Sequence, residues 1–229
     1  MRAVLFLPFH DLVPSSRCDF NSFPPSSHGK EYHLIPSTAI YKDFSHVTEA
    51  SLKHALAESS VSLNDAEIES LMHAYDSLAI FPDVKPALES LKSLPSIDAY
   101  IFTNGANAMV SASLNHSPLL SPFAEVFKAL VTVDDIKVFK PDPRCYHHLA
   151  DSLGVGRSKE ELERIWLVSS NPFDVVGARA AGIRAAWVDR VGLGWVDGLG
   201  ELAAGGPTVV VKGVDEALRE IGRLAKEGE

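Results

Sequence analysis

Cysteine is nearly absent: among 229 residues there are only Cys18 and Cys145. Two thiols could pair with each other, but they cannot supply a disulfide framework or a thiolate zinc site, so a reducing, cytoplasmic setting is expected. Basic residues are also few. Lys and Arg total 21 against 30 Asp and Glu, a formal charge of −9. That balance argues against a nucleic-acid or anionic-membrane surface as partner. Long apolar runs are missing too. Val4-Leu5-Phe6-Leu7 is broken by Pro8, His10 and Asp11, too soon for a membrane span or a signal-peptide core. Nine histidines occur without metal-ligand spacing. His147 and His148 adjoin on a predicted helix, where neighbours point about 100° apart.

The chain does offer alternation of strand and helix. Val4–Leu7 reads as a buried first strand. Residues 14–37, dense in Ser, Pro, His and Gly, carry no sustained period and read as a loop or disordered stretch. Two helices are predicted next, over 46–58 (Val47, Ala50, Leu52, Ala55, Leu56) and over 64–78 (Ile68, Leu71, Met72, Tyr75), the second opened by an Asn64/Glu67 capping box. Strands follow at 99–103, 129–133, 165–168, 184–188 and 208–211. Between and after them stand helices at 84–94, 106–114, 144–153, 173–181 and 215–226, with a short helix capped by Ser158 and Glu161. This order predicts an α/β fold with a doubly wound parallel sheet and helices on both faces. The first strand is expected to join that sheet. The core is then discontinuous, 1–13 with 81–229, around an irregular segment and a small helical insert at 14–80.

Three predicted strands end in chemically loaded residues, where open α/β sheets place their ligands. Thr103-Asn104-Gly105 offers a hydroxyl, a carboxamide and backbone N–H groups at a strand-to-helix turn, an anion-binding arrangement. Lys140, ahead of Pro141 and a helix start, puts a cation where the helix dipole does not favour one, so it wants an anionic partner. Asp174 falls three residues after Asn171 on a helical first turn, so both can face one side. Ser169 and Ser170 alternate in direction, so only one can point into a given site. Each signal alone is an ordinary turn, cap or surface lysine; together they imply one assembled site. Cys145 reads as buried packing, and Trp166, Trp187 and Trp195 as core or cap-contact residues.

These motifs, Phe102-Thr103-Asn104-Gly105, Val138-Phe139-Lys140-Pro141-Asp142-Pro143-Arg144-Cys145-Tyr146 and Val168-Ser169-Ser170-Asn171-Pro172-Phe173-Asp174, resemble motifs two, three and four of the haloacid dehalogenase superfamily. The Ser-Ser-Asn-x-x-Asp form is similar to that of the type II 2-haloacid dehalogenases. Tyr41-Lys42-Asp43-Phe44 and the helix after it look like that family's helical cap. The resemblance implies a Rossmann-like core, a small 2-haloalkanoic acid as substrate, and hydrolysis of its carbon–halogen bond through an aspartyl ester. It suggests a homodimer and no cofactor. By motif position, Thr103 and Asn104 would hold the substrate carboxylate and Tyr146 would line the pocket. Lys140 would keep the nucleophile ionised, Asp174 would help to activate water, and Ser169 and Asn171 would orient nucleophile and water. Phosphatases of the superfamily carry acids at both metal-binding places of motif four. Here Ser170 takes the first, which disfavours a hard dication and leaves a Mg-dependent phosphatase as the weaker alternative.

One part departs from the pattern. Aligning Ala3–Phe6 with the family's first strand puts Leu7 at the nucleophilic aspartate and His10-Asp11 where Gly-Thr belongs. Leucine cannot attack carbon, and Asp11, four residues late, is displaced from attack geometry. The cap's halide-binding arginine has no match either, since Arg17 is the only arginine between Arg2 and Arg144. Two accounts stand: a degenerate relative that keeps the fold to bind a carboxylate or a partner, or a chain with unrelated Ser/Pro-rich sequence in place of the first motif. The intact polar set at motifs two to four suits the second, because an abandoned site has no reason to keep costly buried polar groups.

Overall fold

Apolar strands that are buried on both faces need helices on both sides, and the chain supplies them. The computed structural model describes residues 3–7, 41–74, 79–203 and 205–227. Six parallel strands form one sheet: β1 (Ala3–Leu7), β2 (Ile97–Thr103), β3 (Phe127–Thr132), β4 (Ile165–Ser169), β5 (Arg184–Val188) and β6 (Val209–Val211), in the order β3-β2-β1-β4-β5-β6. β1 is central, with Leu7 opposite Ile101 on one side and Phe6 opposite Leu167 on the other. The strand order reverses direction between β1 and β4. In a doubly wound sheet that switch point opens a crevice at the carboxyl ends of the strands, here beyond Leu7 and Ser169.

Helices α1 (Phe44–Glu58) and α2 (Asp65–Ala74) lie between β1 and the rest. The others are α3 (Val84–Leu91), α4 (Asn107–His116), α5 (Pro143–Ser152), the short α6 (Lys159–Leu162), α7 (Pro172–Ala180), α8 (Gly198–Ala203) and α9 (Val214–Glu227). On one face of the sheet Leu88 of α3, Val110 of α4 and Leu218 of α9 pack with Ile101, Trp166 and Val168. On the other, Leu149 of α5 and Val175 of α7 pack with Phe102, Ile165, Leu167 and Ala185. Leu52, Leu56 and Ile68 form a separate small core between α1 and α2. Among the described residues no helix is long and apolar enough to cross a membrane.

The structure adjusts several sequence expectations. The buried stripe of α1 is Val47, Thr48, Ser51, Leu52, Ala55 and Leu56, so Ala50 faces solvent and Thr48 is inside. Thr48 is tolerated there because its hydroxyl donates to the Phe44 carbonyl at 2.8 Å. The Asn64/Glu67 box forms, with bonds of 2.8 and 3.0 Å, but α2 ends at Ala74 and Tyr75–Leu78 lie outside the described residues. The expectations for 14–37, Asp11, Arg17 and Cys18 also fall outside them. A 3-10 helix at Ser121–Val126 and α8 were not expected. Pro122 in the first reads as a loop signal and Gly198-Leu-Gly200 in the second as a helix breaker.

One polar clamp ties the return from the helical insert to the far end of the sheet. Arg190, just past β5, donates to both oxygens of Asp83 at 3.1 and 2.9 Å, and the Val214 N–H that opens α9 donates to Asp83 at 2.8 Å. The guanidinium also lies 3.9 Å from the centroid of the Phe81 ring. Burial pushes the Asp83 carboxyl up, but the bonds from Arg190 and Val214 outweigh it and hold the group below its ordinary value. A carboxyl with a depressed native pKa stabilises above its unfolded value, about 3.9, and loses that contribution as pH falls through its native value. Asp83→Asn is therefore expected to cost about 1–2 kcal/mol near pH 7. The cost should shrink as pH falls below about 4, as measured by urea unfolding at both pH values.

Candidate active site

Two strand exits, one loop and the first turn of a helix build the site. β2 ends at Thr103, and its side chain turns back on its own chain: Gly105 N–H donates to Thr103 Oγ1 at 2.9 Å. β4 ends at Ser169, fully buried, and Asn171 N–H donates to Ser169 Oγ at 3.0 Å. Both are local turns in which a hydroxyl accepts from the backbone two residues on. Acceptance leaves each hydroxyl hydrogen free to donate. By register Thr103 and Ser169 stand on either side of the exit from β1.

Lys140 enters from the loop after β3. Its side chain is 1% exposed and that of Asp174, in the first turn of α7, is 0% exposed; Nζ lies 3.0 Å from Asp174 Oδ2. A second Nζ bond, 3.3 Å long, runs to the Phe102 carbonyl, and the ammonium sits 4.6 Å from the Phe102 ring centroid. An ammonium has three donors; among the described residues the third has no partner. Stripping two ions of water costs several kcal/mol each in effective terms, so this pair is held for something other than stability alone. The cation that wanted an anion has found Asp174, which the N-terminus of α7 also favours.

Two of the expected substrate-binding residues make bonds within the fold. The Asn104 carboxamide, expected on a substrate carboxylate, is engaged with the backbone of Lys140. Lys140 N–H donates to Oδ1 at 2.9 Å, and Nδ2 donates to the Lys140 carbonyl at 3.4 Å. Tyr146, expected on a pocket wall, is 1% exposed beneath Asp174. Its hydroxyl lies 3.3 Å from the Asp174 carbonyl and 3.4 Å from Oδ1. Burial and then the Asp174 charge push its pKa well up, so it stays a neutral donor. Gly177 makes room for it: a Cβ there would come within 2.6 Å of Tyr146 Cζ. Both residues brace the ion pair.

Neighbouring groups are quieter. The Cys145 thiol is buried and pushed up to about 12, chiefly by desolvation, so it stays protonated and inert. Trp166 is core, 2% exposed. Trp187 and Trp195 meet edge to face at 5.1 Å, with both indole N–H groups buried and without a partner among the described residues. As for a metal, a hard dication needs several carboxylate oxygens. Asp174 is committed to Lys140 and Tyr146, and Ser170 takes the other place. Among the described residues no three His, Cys, Asp or Glu side chains converge.

What the site can do is receive an anion: a buried ammonium with a donor to spare, and two hydroxyls primed to donate. Comparison with known proteins places the fold and the family. A family model described as haloacid dehalogenase-like hydrolase matches residues 25–182. The (S)-2-haloacid dehalogenase 4A of Burkholderia cepacia is 35% identical over 152 residues, 66% of this chain and 62% of that protein's length. The crystal structure of a dehalogenase superposes with a TM-score of 0.76 at 26% identity, covering 95% of each chain. The L-2-haloacid dehalogenase from Xanthobacter autotrophicus with chloropropionic acid covalently bound superposes at 0.77 and 23% identity, over 97% of this chain and 98% of that one, a likeness of fold. With a family model matched over more than half its length, the chain belongs to the haloacid dehalogenase-like hydrolases.

Proposed function

We propose that this chain is a hydrolase of the 2-haloacid dehalogenase type, shaped for a small 2-substituted carboxylic acid, whose carbon–halogen cleavage is impaired because Leu7 stands at the nucleophile position. The observation that carries the reading is the buried Lys140–Asp174 pair at the switch point of the sheet, 3.0 Å apart. The Thr103 hydroxyl is suited to donate to the substrate carboxylate. In the complete reaction an aspartate at the end of β1 would attack C2 and expel halide. Lys140 would hold that aspartate ionised. Asp174 would then accept a proton from water as the resulting hydroxide attacks the ester carbonyl carbon, and would return it to the departing oxygen as the acyl–oxygen bond breaks. The 2-hydroxy acid leaves and the new carboxyl group loses its proton to solvent, regenerating the carboxylate, with Ser169 and Asn171 orienting the groups. Leucine has no electron pair to form the first bond. Binding therefore survives while turnover does not. No step needs a metal in this scheme.

The test is a thermal melt with 2-chloropropionate alongside halide release. A ligand at a hundred times its Kd should stabilise the fold by about 2.7 kcal/mol, with halide release at background. Absence of stabilisation by any 2-substituted acid would sink the substrate class. Halide turnover that Lys140→Ala abolishes would overturn the impairment, and phosphate release that EDTA abolishes would favour a phosphatase instead.

A further inference from the structure

We infer that Asp134 and Tyr41 are positioning residues that couple the seat of the helical insert to the Lys140 backbone. Asp134 follows β3. Its Oδ1 accepts from the Tyr41 hydroxyl at 2.6 Å and its Oδ2 from Asn107 N–H at 2.9 Å. The first bond has the length of a charge-assisted one. The second replaces a missing helix cap. Ala106 precedes α4 with no side chain to offer its N-terminal amides, and a carboxylate from another segment satisfies one of them where the dipole favours it.

The bonds close a circuit. The Tyr41 ring stacks on Phe139 at 5.3 Å, and Phe44, which opens α1, meets the same ring edge-on at 6.2 Å. Phe139 is the residue before Lys140. The Lys140 N–H is held by Asn104, which lies in the turn that ends at Asn107. Asp134 thus grips the stem of the insert with one oxygen and the Asn104–Asn107 turn with the other, while the Tyr41 ring presses on the far side of the lysine loop. Burial first, and then the bond to Asp134, raise the Tyr41 hydroxyl pKa, so it remains a donor throughout the useful pH range. Loosening the stem at Tyr41 should therefore loosen Lys140, although the two side chains share no bond. The inference rests on the proposed function only in treating Lys140 as the working cation.

Tyr41→Phe isolates the effect, because it deletes one hydroxyl and keeps the stacked ring. Residue-resolved hydrogen exchange should show the Lys140 amide, bonded to Asn104 and untouched by the substitution, exchanging about tenfold faster. The Leu167 amide in the middle of β4 should be unchanged. Asp134→Asn should move the Lys140 and Asn107 amides further in the same direction. The Kd of 2-chloropropionate should rise several-fold in both variants. Unchanged Lys140 protection in Tyr41→Phe, or a uniform rise that includes Leu167, overturns the inference. If the unmodified protein binds no 2-substituted acid, the proposed function fails, and the exchange result still decides this coupling.

Discussion

Leu7→Asp is expected to raise halide release from 2-chloropropionate at least about a hundredfold above the parent chain, since it supplies the nucleophile without which no covalent step can begin. Position 7 closes the central strand, opposite Ile101 and two residues short of Thr103 in register. The third donor of Lys140, without a partner among the described residues, is then available to a carboxylate arriving there, and an adjacent ammonium keeps that carboxylate ionised and nucleophilic. Leu7→Asn, with similar size and no charge, should remain at background. Adding Lys140→Ala to Leu7→Asp should return the rate to background as well. A folded Leu7→Asp protein that binds 2-chloropropionate and releases no halide would show that the end of β1 is not where attack occurs.

The second large effect concerns the ion pair. Lys140→Met and Asp174→Asn each nearly preserve volume while removing one charge, and each leaves the other ion buried without its partner. Single substitutions that break a buried pair cost about 3–5 kcal/mol, and that loss is expected for either change in urea unfolding. The double variant should recover about 2–3 kcal/mol of the summed loss as coupling energy. Its site, now neutral, should lose carboxylate binding altogether. Additive losses in the double variant would mean that Lys140 and Asp174 do not depend on each other, and would remove the central argument for the site.

How much of this was legible beforehand depends on distance along the chain. Ser169 with Asn171, and Thr103 with Gly105, are contacts between residues two apart, and a strand ending in small polar residues announces them. Lys140 and Asp174 could be brought together because the motif resemblance assigns both to one site and Lys140, ahead of a helix start, wants an anionic partner. Lys140 itself sits in a loop well past β3 rather than at a strand end. Tyr41 and Asp134 could not. They are separated by 93 positions, and neither interrupts a local pattern. Asp83 and Arg190 escaped for the same reason. The Asn104 carboxamide was visible but ambiguous: a donor–acceptor group serves a ligand or a peptide bond equally well, and only the placement of the Lys140 backbone decides. The missed helix α8 carries two glycines, so tertiary packing, with Trp195 against Gly200, prevails there over intrinsic propensity.

The central place of β1 has a consequence for folding. Its neighbours β2 and β4 touch no part of each other in the sheet order, so this one short strand bridges two otherwise separate three-stranded and two-stranded halves. Every pairing it makes spans a large share of the chain, which raises contact order and slows acquisition of the native topology. Until β1 is inserted, β2 and β4 each present an unsatisfied, strongly apolar edge of the kind that recruits other molecules. The five residues Ala3–Leu7 thus guard the protein against aggregation.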